Sequence, residues 1–84
     1  MNQIAAISSD NFRAIQAAMT AFAENGLSIA GYEINVFEEA NRFIVLFKKA
    51  GLSAGYRGSP PGFPGFEVEL DASNLNIVKS NFVR

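Results

Sequence analysis

Phe66-Glu67-Val68-Glu69-Leu70-Asp71 alternates without a break between apolar and acidic residues. Side chains of a strand point to opposite faces in turn, so this segment is a strand with one dry face and one wet face. Such a strand belongs to a sheet covered on one side, and a slip of one residue would drive every carboxylate into the core. The rest of the chain must supply the cover and the neighbouring strands.

The cover comes from the first third of the chain. Ser8-Ser9-Asp10 offers side-chain oxygens for the unpaired amides of a helix start, and Asn25-Gly26 offers the left-handed residue that commonly closes one. Between them Phe12, Ile15, Met19, Phe22 and Ala23 recur at intervals of three and four, which predicts a helix over about residues 10 to 25 with these side chains on its buried stripe.

Beyond Gly31 the period changes to two. Tyr32, Ile34 and Val36 share one face of a first strand, with Glu33, Asn35 and Phe37 on the other. Glu38-Glu39-Ala40-Asn41 interrupts the pattern, and Arg42 to Lys48 resumes it with apolar residues on both faces, as a central strand requires. Leu75 to Val78 and Phe82-Val83 predict a fourth strand whose alternation slips around Lys79-Ser80-Asn81, where a bulge or a sheet edge is expected.

From Ala50 to Gly65, eight of sixteen residues are Gly or Pro, which leaves no room for a helix or an inner strand. The chain therefore reads as one domain over residues 1–84 with a Gly/Pro-rich loop at 50–65. Its fold class is α+β, one helix packed on a four-stranded antiparallel meander. One helix covers one face. Phe43, Val45 and Phe47 fall on that face, while Ile44 and Leu46 fall on the other, joined by Phe37 and Val78, and need a second chain, a partner or the long loop as cover.

Eighty-four residues allow only one small core, and with no cysteine no disulfide reinforces it. The missing cysteines lean towards a reducing, cytoplasmic setting, and neither a signal-peptide pattern nor an 18-residue apolar run is present. A formal charge of -1, with scattered basic residues, argues against nucleic acid as a partner.

The order Tyr32 to Val36, Arg42 to Phe47, a loop, Gly65 to Asp71 and Ile77-Val78 resembles the cystatin-like superfold, and in particular small bacterial immunity and inhibitor-type proteins of that shape. The resemblance spans about residues 10 to 83 and implies a partner-binding role. It does not extend to cysteine-protease inhibition, because the first hairpin reads Phe37-Glu38-Glu39-Ala40-Asn41 in place of Gln-x-Val-x-Gly and the chain has no Trp. The enzymes among the larger nuclear-transport-factor-like relatives need a deeper cone than this chain can build.

Chemistry is scarce. Gly51-Leu52-Ser53-Ala54-Gly55 matches the nucleophile-elbow pattern, yet the chain runs on into Pro60-Pro61 and has no histidine to take the serine proton. Without His or Cys, the usual ligands of zinc, copper, haem and iron-sulfur clusters are missing. Glu67, Glu69 and Asp71, about 7 Å apart in succession along one strand face, read as a solvated face rather than a cation site. No phosphate-binding glycine loop is present. The expectation is no catalytic residue, no metal and no cofactor.

Tyr56, Arg57, Pro60, Pro61 and Phe63 place aromatic, cationic and stiff residues in the long loop, a set enriched at recognition surfaces. Together with Ile44 and Leu46 they make the expected partner-binding surface of a non-enzymatic interaction module, immunity- or inhibitor-like, acting on a protein partner or on a second copy. Two alternatives stand beside it. One is a small-molecule binder or minor enzyme with an apolar pocket lined by Phe12, Phe22, Phe43 and Phe66, and the other is a structural homodimeric subunit.

Overall fold

The computed structural model describes residues 1–51 and 62–83. It holds helix α1 (Ser9–Glu24) and strands β1 (Tyr32–Glu39), β2 (Arg42–Lys49), β3 (Gly65–Asp71) and β4 (Ile77–Val83). The strands lie in the order β1-β2-β3-β4 with every neighbouring pair antiparallel, so the α+β meander is as expected. Among the described residues, no helix is long and apolar enough to cross a membrane.

The ends of α1 follow from their residues. Ser8 Oγ accepts the Asn11 N–H at 3.1 Å, and Asp10 places a carboxylate in the first turn, where the helix dipole favours it. At the other end Asn25 Nδ2 donates to the Ala21 carbonyl at 2.8 Å, and Gly26 leaves the helix at φ 75°.

The helix meets the sheet through a different face from the one its large residues predict. Ala14, Ala18, Ala21 and Phe22 are buried, whereas Phe12 is 52% exposed and Ala23 also faces solvent. Ile15 and Met19 are only half-buried. The buried face is rotated by roughly a quarter turn from the Phe12-to-Ala23 stripe, at about 100° per residue. The cause is volume. The sheet already supplies Phe43, Phe47, Phe66, Val45, Val68 and Leu70 to the core, and small alanines opposite bulky rings let the helix approach closely.

Strand register sorts every side chain. Ile34 stands opposite Phe47, Phe47 opposite Phe66, and Phe66 opposite Phe82, so these side chains share the helix-covered face. β1 continues past Val36 to Glu39, and the turn is only Ala40-Asn41, with φ of 47° and 63°. Two consecutive positive values are the mark of the tight turn whose twist matches that of a hairpin.

β4 begins at Ile77 rather than Leu75, which sits in the connection at φ 61°. The expected irregularity is present but falls earlier in the chain. The register shifts between Glu69, opposite Lys79, and Leu70, opposite Ile77, so Val78 is the extra residue and Lys79 to Val83 form a regular ladder. The two hairpins are tied together at one end of the sheet, where the Ala72 N–H donates to the Asn41 carbonyl at 2.9 Å.

Candidate partner surface

Alternation along β2 puts Ile44 and Leu46 on the face away from α1, and both are half-buried by their neighbours. Phe37 stands directly opposite Ile44 on β1 and is 52% exposed. Phe37, Ile44 and Leu46 thus form an apolar strip across the β1–β2 half of the uncovered face. Val78 does not join it, since it lies on β4 with the acidic column of β3 between.

Charge surrounds the strip. Arg42 reaches both Glu69 Oε1 and Asp71 Oδ2 at 3.5 Å, and Lys48 Nζ lies 3.9 Å from Glu33 Oε2. These pairs are at least a quarter exposed, so they orient side chains more than they stabilise the fold. Arg42 also decides how the β3 carboxylates behave, because its guanidinium occupies the space between Glu69 and Asp71 that a cation would need. Glu67, opposite Leu46 and Asn81, has no ion-pair partner among the described residues.

Asp71 has a second role. Its carboxylate accepts the Ser73 hydroxyl and, at 2.8 Å, the Ser73 N–H, which closes the β3–β4 turn. Those bonds to the charged form, the hydroxyl first and then the amide, hold the Asp71 carboxyl below its usual range, with help from Arg42.

Of the expected loop residues, Tyr56, Arg57, Pro60 and Pro61 lie outside the described residues, as do residues 52–55 of the Gly51-to-Gly55 match. Phe63 is described and half-buried. Its ring sits 5.6 Å from that of Tyr32, with Lys49 Nζ 5.5 Å from its centroid, and it fills the space beside Gly31, which adopts φ 84°. The Tyr32 hydroxyl donates to the Pro64 carbonyl at 2.8 Å. The base of the loop is therefore fastened to β1, and the Phe63 ring packs within the chain. Phe63 and the strip of Ile44 and Leu46 are not brought into one cluster.

The four phenylalanines considered for an internal pocket also separate. Phe22 and Phe66 are buried with ring centroids 6.2 Å apart, Phe43 lies on the floor of a solvent-open depression of about 320 Å³ at the N-terminal end of α1, and Phe12 points to solvent. Asp10, Arg13, Glu38 and Ser73 rim that depression.

Sequence reasoning recognised Ile44 and Leu46 from alternation alone. It missed the role of Arg42, because only strand register puts that residue beside Glu69 and Asp71. No protein-family model matches the chain, and neither a curated protein nor a solved structure shows significant similarity to it.

Proposed function

We propose that this chain is a non-enzymatic protein-interaction module of the immunity or inhibitor kind, working in the cytoplasm, and that it docks a protein partner on the uncovered sheet face. The observation that carries this reading is the Phe37-Ile44-Leu46 strip on the face opposite α1. A half-exposed aromatic beside two aliphatic residues, framed by charge, has the make-up of an interface centre with a polar rim.

The rim indicates the chemistry of the partner. Among the described residues, Glu33, Glu39, Glu67, Glu69 and Asp71 outnumber Arg42, Lys48 and Lys79 on this face, and Glu67 lies beside the strip with no ion-pair partner. An apolar patch bordered by lysine or arginine would complement it. The cystatin-like order of elements supports the same class of role, and the absence of His and Cys from the chain removes the commonest catalytic groups.

The test is affinity capture from the native host, followed by titration of the captured protein against wild type and Leu46→Lys. We expect the lysine variant to keep its helix and its melting transition while losing about tenfold or more in affinity. Equal affinity of a folded Leu46→Lys variant would move the interface away from this face. Loss of the fold in that variant would make Leu46 a core residue and remove the basis of the proposal.

A further inference from the structure

We propose that β4 is a self-pairing edge, through which two copies of this chain join their sheets into one of eight strands. The pairing is antiparallel, with its two-fold axis at Ser80. The inference rests on the strand edge and not on the face assigned above.

The two edges of this sheet are unlike. β4 is exposed almost throughout, with Ile77, Val78 and Phe82 between 43% and 48% exposed, and it carries no proline and a single charge, Lys79. Among the described residues no strand lies beyond it. An exposed apolar edge of this length is a template for another strand unless something blunts it, and in β4 the bulge at Val78 leaves Lys79 to Val83 as the regular stretch that can serve as one. β1 is blunted. It carries Glu33, Glu38 and Glu39, and two β1 strands paired about Val36 would set Glu33 of one copy against Glu39 of the other, on the same face.

The residues of β4 select both the partner and the register. A two-fold axis at Ser80 centres the pairing on the regular part of the strand, places Lys79 opposite Asn81 of the second copy, and brings the bulge residue Val78 beside its Phe82. No like charges meet. Moving the axis to Lys79 would set the two lysines against each other. The lysine is also poorly placed as a guard, since its opposite neighbour within the sheet is Glu69. Phe82 lies on the helix side, its ring 5.2 Å from Phe66, so its contact with Val78 of the second copy would extend the covered layer across the junction. Each copy has one β4, so the assembly closes at two, with the acidic β1 strands at its outer ends.

The native chain has no cysteine, which makes single-cysteine variants clean reporters. Directly opposed residues in an antiparallel pair have Cβ atoms about 4.5–5.5 Å apart, near the span a disulfide bridges. Ser80→Cys should therefore oxidise to a covalent dimer far faster than Glu38→Cys on β1. In sedimentation equilibrium the wild type should dimerise and Val78→Lys should weaken the dimer by about tenfold or more, because the change enters a two-fold interface twice. A strictly monomeric wild type would overturn the proposal, as would equal oxidation of the two cysteine variants. A dimer dissolved by Leu46→Lys but untouched by Val78→Lys would overturn it too, and would locate self-association on the face instead.

Discussion

The ring of Phe22 lies stacked on that of Phe47, with centroids 4.2 Å apart and planes inclined by 22°. Phe22 is the only large side chain that α1 buries fully, and Tyr32 and Phe66 meet the same ring edge-on at 5.1 and 6.2 Å. The helix is thus anchored by one aromatic residue, while its alanines let it come close.

Truncation should reveal that division. Phe22→Ala should destabilise the fold by about 3–5 kcal/mol, the range for removing a buried phenylalanine. Phe12→Ala, on the exposed side, should shift stability by less than about 0.5 kcal/mol. Urea denaturation of both variants is the measurement, and comparable losses would return Phe12 to the core.

Gly31 and Phe63 make a coupled pair. A Cβ on Gly31 would lie 2.6 Å from Phe63 Cε1, and the backbone there already has φ 84°. Gly31→Ala should cost about 1–2 kcal/mol for the left-handed backbone alone, and more for pushing the ring away from Tyr32. In a double-mutant cycle, Phe63→Ala should recover the second part but not the first. Strict additivity would show that the ring does not occupy that space.

Tyr32 makes the stability depend on alkaline pH. Burial raises its pKa above the usual value, so the folded chain keeps the phenol proton where the unfolded chain has released it. This contribution is complete below about pH 10 and is lost as the pH climbs through the folded value. Tyr32→Phe should remove that part of the alkaline decline, and at neutral pH it should cost about 0.5–1.5 kcal/mol through the lost bond to the Pro64 carbonyl. Chemical denaturation at several pH values from about 8 to 11 would check both effects, and an unchanged alkaline slope would place the phenol in water.

What the amino-acid sequence determined by itself is what local backbone geometry can express. Strand alternation separated Phe66, Val68 and Leu70 from Glu67, Glu69 and Asp71, and put Ile44 and Leu46 opposite Phe43, Val45 and Phe47, because successive strand residues face opposite ways in any register. Capping residues likewise located α1 to within a residue at each end. Tertiary structure decided the rest. The buried face of α1 follows from the volume that the sheet leaves vacant, so Ala14 and Ala18 are covered while Phe12 is not, a choice no helical periodicity contains. Register set Arg42 between Glu69 and Asp71, and chain return set Phe63 beside Gly31 and Tyr32, across 32 and 31 residues of sequence. Those contacts depend on distances between segments that only the packed core defines.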